Sequence, residues 1–512
     1  MSFTTFAAID VGSNELSLKI YEISKKDGIH ELDHVRHPIL LGSDTYKYGK
    51  IRYALVNEVC EVLKNFNLKL QEYDVTEYVA YATSAIREAS NKFLILDQIK
   101  LHSGIEVKVI SNSEQRFLCY KAIAFRESSF NQIVEKDTAI IHAGSGSIQI
   151  TLFSKGSLLC TQNIRLGVLR IRELLGDMEK MTNDFKSLVM EYINNELLTF
   201  TQFYLKNLKI ENIIALGEQL DDMLTLMKYP PVMKPLPVKD CMRTLEQISK
   251  MSLNSIISKT NLPQEQAALL MPASMIYLRL LEESNAKHIY FCDIGLCDGI
   301  AAEYAERKMK LASKHDFTND IICCARNIAL RYQCNRPHNE NVEHLALRIF
   351  DGIHKLHGLG KRERLLLKIA VTLHNCGDFI NMNHSRENSY HIIMSTEIIG
   401  LSHQERELIA RLVSYTTEDF QENLHSHDGI ETDIYLKTAK LFAIFSIAHV
   451  LDKSHKQKLK EIKLSLKPND LTITAYTLED ITLESGLFDT KASFFEDVYG
   501  IRPHLKQKRR LP

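Results

Sequence analysis

Residues 7–20 read Ala-Ala-Ile-Asp-Val-Gly-Ser-Asn-Glu-Leu-Ser-Leu-Lys-Ile, and residues 139–152 read Ala-Ile-Ile-His-Ala-Gly-Ser-Gly-Ser-Ile-Gln-Ile-Thr-Leu. Superposed, each is an apolar strand, one polar residue (Asp10 or His142) and a turn, Gly12-Ser13-Asn14 or Gly144-Ser145-Gly146-Ser147. Each then resumes with period two, through Leu16, Leu18 and Ile20 or through Ile148, Ile150 and Leu152. That spacing predicts a strand with one buried face. Glycine lets the backbone turn tightly and point successive N–H groups outward, which makes a concavity suited to an anion. Either segment alone reads as an ordinary hairpin. The pair predicts a duplicated α/β domain with a phosphate-sized ligand held between the copies.

Length and composition set the frame. A chain of 512 residues allows about three domains. Its 45 % hydrophobic and 25 % charged residues are ordinary for a globular protein. A net charge of −1 argues against a general nucleic-acid binder, so a site for a polyanion must be a local patch. The opening Met-Ser-Phe-Thr-Thr-Phe enters a strand with no basic or apolar leader pattern. The longest apolar run, Leu441–Leu451, contains His449 and has the length of a core helix rather than of a membrane span. The cysteines are scattered without a Cys-x-x-Cys pair, which suits reduced thiols. A cytoplasmic protein with neither membrane nor nucleic-acid partner is expected.

Along the chain, Tyr53–Leu68 has helical spacing, and Glu77–Thr83 reads as a strand leading into a helix over Ser84–Leu101 that Gly104 ends. Glu106–Ile110 is the next strand, so a parallel pairing with a crossover is implied. Ser111 and Glu114 form a capping box at the start of the following helix, and Glu114 need do nothing more there than bond the Ser111 amide. The second copy carries Leu166-Gly167-Val168-Leu169-Arg170 flanked by Arg165 and Arg172, then strands over Ile213–Gly217 and Lys287–Asp293. Strands that end in glycine turns are where α/β sheets place ligands. From Glu306 the pattern becomes helical, and nine histidines between His344 and His427 bring a metal site into consideration. Strands follow over Ile462–Leu466 and Leu471–Tyr476, and the tail Lys506-Gln507-Lys508-Arg509-Arg510 reads as a solvated, frayed end.

These residues resemble the exopolyphosphatase and guanosine-pentaphosphate phosphohydrolase family. The resemblance spans nearly the whole chain and is carried by Ala8-Ile9-Asp10-Val11-Gly12-Ser13-Asn14, by Ala82-Thr83-Ser84-Ala85-Ile86-Arg87-Glu88-Ala89-Ser90-Asn91 and by Val109-Ile110-Ser111 leading to Glu114. Leu166–Arg170, Ser402-His403-Gln404-Glu405 and Leu451-Asp452-Lys453-Ser454-His455 add to it in family order. It implies an α/β plus all-α protein: two actin-like (ribonuclease-H-like) domains over 1–132 and 133–305, a helical His-Asp-phosphohydrolase-like domain over 306–460, and a small C-terminal α/β extension over 461–512. It also implies a homodimer that releases terminal orthophosphate from polyphosphate or pppGpp with Mg²⁺. Glu114 would be the base, Asp10 the metal ligand, and Gly12, Ser13, Asn14, Arg87, Gly144, Ser145, Gly146 and Ser147 the phosphate contacts.

The chain departs from that family's pattern at defined places. An acidic metal ligand is His142, a loop glutamate is Gln149, the Ser-x-Arg after the first turn is Glu15-Leu16-Ser17, a Gly-Gly-Thr is met by Glu218-Gln219, and Leu-Arg-Glu-Gly is Leu296-Cys297-Asp298-Gly299. Mg²⁺ prefers carboxylate oxygens, so these changes weaken its site and raise the alternative of a polyphosphate- or (p)ppGpp-binding sensor. In the helical domain the His-Asp pair is His374-Asn375, and a His-Lys-His-Ser is Arg386-Glu387-Asn388-Ser389. A metal site on His344, His374 and Asp452 is weighed there against satisfied polar groups in the core, and the core reading is preferred. The basic stretch Lys456–Lys463 reads as a solvated face in preference to a polyanion grip.

Overall fold

In the computed structural model the described residues are 3–206, 208–229, 233–311, 313–416, 418, 420, 432–468 and 470–509. The chain forms two units, Met1–Asp320 and Ile321–Pro512.

The duplication is visible in the sheets of the first unit. β1 (Thr4–Val11), β2 (Glu15–Ser24), β3 (Gly28–Pro38), β4 (Glu77–Ala82) and β5 (Val107–Val109) form a sheet in the order β3-β2-β1-β4-β5. β6 (Thr138–Ala143), β7 (Ile148–Ser154), β8 (Ser157–Ile164), β9 (Asn212–Leu216), β10 (Leu236–Pro237) and β11 (His288–Phe291) form a second in the order β10-β11-β9-β6-β7-β8. In both, an antiparallel meander of three strands is extended by parallel strands beside the first, β4 beside β1 and β9 beside β6. The hairpins close on equivalent pairs, Val11 with Leu16 and Ala143 with Ile148. The residues that alternate in sequence are the buried ones: Leu16, Leu18, Ile20, Ile148, Ile150 and Leu152 are all at most 1 % exposed.

Helices cover the sheets. Tyr53–Glu72 buries Val56, Val59, Leu63 and Phe66 on one side, as its spacing predicts. The single helix expected over Ser84–Leu101 is two helices, Ser84–Glu88 and Lys92–Ser103. Between them the Ser90 N–H donates to Gly49 O, and the Asn91 side chain bonds both backbone groups of Ile51, so these outside partners replace the helical ladder. Gly104 caps the second helix with φ +72°, a left-handed conformation that favours glycine.

The helix Leu296–Met309 follows the last strand of the second sheet yet packs on the first. Leu296, Ile300, Ala301 and Tyr304 share a core with Phe6, Ala8, Tyr21 and Leu118. Gly299 makes the approach to the helix Asn112–Arg126, since a Cβ there would meet the Leu118 carbonyl carbon at 2.5 Å. The change to a helical pattern at residue 306 therefore falls inside this helix. The first unit runs on to Asp320, whose carboxylate accepts from the Tyr120 hydroxyl and pairs with His315 Nε2 at 2.6 Å.

The second unit is mainly helical, with Arg336–Gly352, Lys361–Leu373, His403–Ser414 and Thr432–Val450 contributing most of its buried apolar residues. β12 (Ile462–Lys467), β13 (Asp470–Tyr476) and β14 (Pro503–Lys508) form a small sheet in that order. The tail is thus not frayed over its described residues: Pro503–Lys508 pairs in parallel with Leu471–Tyr476. Its charged residues alternate with half-buried ones, and Lys506 and Lys508 mark the solvent face of an edge strand, a common way to block further pairing. Arg510, His425 and His427, which entered the sequence reading, lie outside the described residues.

Candidate active site

The two glycine turns are built alike. Gly12 N–H donates to Glu15 O and Gly144 N–H to Ser147 O, each at 3.0 Å. A Cβ at Gly12 would sit 2.7 Å from Glu15 O, which requires glycine there. Each turn is clamped by the segment that leaves its own third strand. Ile39 and Gly42 N–H donate to the Asn14 and Ser13 carbonyls, while Val168, Leu169 and Arg170 N–H donate to those of Gly144 and Ser145. This explains the Leu166–Arg170 motif: Gly167 lies so close to the Ser145 and Gly146 backbone that a side chain has no room.

The turns approach one another around Tyr46 and Ser84. Ser13 Oγ is 2.8 Å from Ser84 Oγ and accepts from Ala85 N–H at 3.1 Å, which places it at the start of the helix Ser84–Glu88. Tyr46 Oη donates to Ser13 Oγ at 2.9 Å and stands 3.0 Å from Ser84 Oγ. A Cβ at Gly146 would collide with both the Tyr46 and Ser84 oxygens. Arg170 lies over the Tyr46 ring at 4.1 Å, donates from Nε to Gly146 O at 2.8 Å and pairs with Glu88 at 2.8 Å. Arg165 pairs with the same Glu88 at 2.9 Å. Ser13, Asn14 and Ser145 are at most 5 % exposed.

Beside the turns is a cavity of about 100 Å³ lined by Asp10, Glu15, Lys19, Arg36, His142 and Glu218, among others. Its electrostatics follow from burial of like charges. Burial, then the neighbouring Glu218 and Glu15, raise Asp10 well above the usual carboxylate range. Burial and Glu15 raise Glu218 to about 7, against a lowering by its hydrogen bond from Ser145 Oγ at 2.5 Å. Burial and the Arg116 guanidinium lower His142 to about 4, so this imidazole is neutral. Asp10 Oδ1 and His142 Nδ1 find no hydrogen-bond partner among the described residues, and Asn14 Oδ1, Gln149 Oε1 and Gln219 Oε1 are in the same state. Such buried polar atoms are costly, about 1–3 kcal/mol each, unless water, an ion or a ligand meets them.

Arg87 and Glu114 stand at one junction, outside the cavity lining. Arg87 Nη1 donates to Ile110 O at 2.6 Å, and its Nη2 donates to Asn112 Oδ1. Glu114 Oε2 accepts from Ser111 N–H at 3.2 Å and from Ser111 Oγ at 2.6 Å, while Ser111 Oγ accepts from Glu114 N–H. The capping reading of Glu114 is therefore realised. The next residue, Gln115, does line the cavity. Tyr46, Glu88 and Glu218 were missed as site residues. Glu88 lies inside the Ala82–Asn91 motif, and Glu218 follows a strand-ending glycine; Tyr46 carries no local signal at all.

A model of the Ppx/GppA phosphatase family matches residues 20–308, and one described as Ppx/GppA phosphatase, domain III, matches residues 323–488. The chain is 19 % identical over 483 residues, 92 % of its length and 91 % of the relative's, to a guanosine-5'-triphosphate,3'-diphosphate pyrophosphatase of Photobacterium profundum. It is 24 % identical over 177 residues, 33 % of its length and 26 % of the relative's, to a bifunctional 3-dehydroquinate synthase/phosphatase of Fusobacterium nucleatum. Among solved structures, an exopolyphosphatase from Cytophaga hutchinsonii is similar with a TM-score of 0.53 at 20 % identity, over 59 % of this chain and 97 % of that one. A Ppx/GppA family member from Aquifex aeolicus is similar with a TM-score of 0.50 at 20 % identity, over 60 % and 99 %. At these identities the structures speak to the fold alone.

Proposed function

This chain belongs to the Ppx/GppA phosphatase family, and on that premise we propose that it hydrolyses a terminal phosphoanhydride, releasing orthophosphate from polyphosphate or pppGpp. The observation that carries this reading is the pair of equivalent turns meeting beside a cavity in which Asp10 Oδ1 and His142 Nδ1 lack protein partners among the described residues. Phosphoryl transfer asks the protein for charge neutralisation and alignment more than for covalent chemistry. Gly12 and Gly144 shape the turns through their own internal hydrogen bonds, the N–H groups and hydroxyls of Ser13, Asn14, Ser145, Gly146 and Ser147 bind the non-bridging oxygens, and Arg87, held by Ile110 O and Asn112 Oδ1, adds positive charge. Glu114 accepts a proton from water as the water oxygen bonds to phosphorus and the anhydride oxygen leaves on the shortened chain.

The donor set around Asp10 fits one hydrated Mg²⁺, which is commonly held by one or two carboxylates together with substrate phosphates. Asp10 Oδ1 is available, and Glu218 is near enough to raise the proton affinity of Asp10. The ion, when bound, supplies charge neutralisation at the phosphate oxygens. We read the protein further as a cytoplasmic homodimer with a His-Asp-phosphohydrolase-like helical unit. Orthophosphate release from each substrate, with and without Mg²⁺, by the wild type and by Glu114→Gln tests the proposal. Equal rates for the two proteins would remove Glu114 from the reaction.

A second reading has its own observation. His142 is neutral where the family has a carboxylate, and Gln149, paired with it across the hairpin, is an amide where the family has a glutamate. Both favour a polyphosphate or (p)ppGpp sensor that binds without turnover, and calorimetry alongside the rate assay separates the two.

A further inference from the structure

In the helical unit three histidines from separate helical segments converge. His338 belongs to Arg336–Gly352, His374 follows Lys361–Leu373 and His449 belongs to Thr432–Val450. One ring nitrogen from each lies within 4.8 Å of the other two, and the ring centroids are 5.3, 5.6 and 5.4 Å apart, a nearly equilateral triangle. From the sequence, a metal on His344, His374 and Asp452 is weighed here against satisfied core polar groups, and the core reading is preferred. His344 is exposed, six residues along the helix from His338.

The hydrogen bonds fix where the lone pairs point. His338 is fully buried, and its Nδ1 lies 2.8 Å from Asp452 Oδ2. A carboxylate accepts, so Nδ1 carries the hydrogen and Nε2 carries the lone pair. That Nε2 has no partner among the described residues. His374 Nδ1 lies 2.7 Å from Val371 O, a carbonyl that only accepts, so its Nε2 lone pair is free in the same way. Asp452 is itself fully buried, and its other oxygen accepts Gln457 N–H at 2.7 Å. It supports His338 from behind, the carboxylate–histidine arrangement that orients metal-binding imidazoles. Asn375 does not face this cluster as a ligand: its Oδ1 accepts from Asn339 Nδ2 at 3.0 Å. His455 lies flat on His338 at 3.7 Å and covers its outer face.

We propose that His338, His374 and His449 hold one divalent transition-metal ion of the zinc class, with Asp452 positioning His338. Three nitrogen donors suit zinc, cobalt or nickel and not magnesium, which prefers carboxylate and water oxygens. A Zn–N bond of about 2.0–2.1 Å sets tetrahedral donors about 3.4 Å apart, so small ring movements complete the site. Three histidine donors leave the fourth tetrahedral position to water or an anion.

The test uses the full-length protein, stripped with a chelator and titrated with Co²⁺ in excess Mg²⁺, so that oxygen-rich sites are already filled. Ligand-field absorption and calorimetry are followed together. One Co²⁺ per chain with intense visible bands, displaced by Zn²⁺, is expected. His338→Gln and His449→Gln should each weaken binding about 100-fold or more, and Asp452→Asn about 10–100-fold, while the exposed His344→Gln changes nothing. A folded His338→Gln/His449→Gln protein that binds Co²⁺ as the wild type does overturns the proposal. So does a wild-type titration without the bands, and that measurement needs no variant to fold.

Discussion

Tyr46 Oη donates to Ser13 Oγ at 2.9 Å and Ala85 N–H donates to the same oxygen at 3.1 Å, so both lone pairs of that hydroxyl are used and its hydrogen is left for an acceptor. The same tyrosine lies beneath Arg170, which belongs to the other glycine turn's clamp. A phosphate oxygen between the turns therefore meets a serine held ready to donate.

Tyr46→Phe keeps the ring under Arg170 and removes the donor that orients the Ser13 hydroxyl. One neutral hydrogen bond contributes about 0.5–1.5 kcal/mol net, so the variant should bind polyphosphate about 2–10-fold more weakly and lose a comparable amount of stability. Calorimetric Kd and KM measure the loss. Unchanged binding would show that the Ser13 hydroxyl does not need Tyr46 to meet a ligand.

Glu218 gives a pH dependence with a definite sign. Its carboxyl titrates near 7 when folded and near 4.5 when unfolded, so the native state holds the extra proton between these values. Stability that the neutral carboxyl contributes is complete below pH 4.5 and is lost as pH rises through 7. In metal-free buffer the Tm of the wild type should therefore fall from pH 5 to pH 8 relative to that of Glu218→Gln, by an amount worth up to about 3 kcal/mol. Saturating Mg²⁺ should shrink the difference, because a bound cation favours the carboxylate.

Restoring the acidic residues should strengthen the metal site. His142 and Gln149 face each other across the β6–β7 pair, and each carries a buried polar atom without a partner among the described residues. His142→Asp with Gln149→Glu should tighten Mg²⁺ binding at least about 10-fold and raise kcat with it. Unchanged Mg²⁺ affinity would show that the ion does not touch this strand pair.

Gly299→Ala probes the packing of the crossing helix. Its new methyl would press on the Leu118 backbone at 2.5 Å, and backbone cannot rotate away as a side chain can. A loss of about 1–3 kcal/mol in chemical denaturation is expected, despite alanine's better helix propensity.

Much of the fold was legible because period-two alternation and glycine turns are local signals. The Asp10–Ile20 and His142–Leu152 hairpins, the Ser111–Glu114 box and the strands β12 and β13 all formed as their residues dictate. What escaped was set by distant partners. Asn91 breaks a helix by bonding Ile51, and Leu296–Met309 joins a sheet whose strands begin at Thr4. The basic tail reads as solvent-loving, yet pairing with Leu471–Tyr476 satisfies its backbone. At the site, glycine spacing located the turns, whereas Tyr46 occupies its place through a tertiary contact that no sequence window contains. Among the histidines, His344 entered the metal set that the sequence reading weighed, but it is His338 whose Nδ1 meets Asp452 and whose Nε2 lacks a partner among the described residues.

The crossing helix also has a consequence for synthesis. Phe6, Ala8, Tyr21 and Ile23 are covered by residues 296–305, which leave the ribosome only after the whole second sheet. At about 5–20 residues per second, that face of the nascent first sheet waits uncovered for roughly 10–35 s after the helix Asn112–Arg126 has been made. The growing chain is thus a natural client for holdase chaperones during that interval, and slow translation would prolong its exposure.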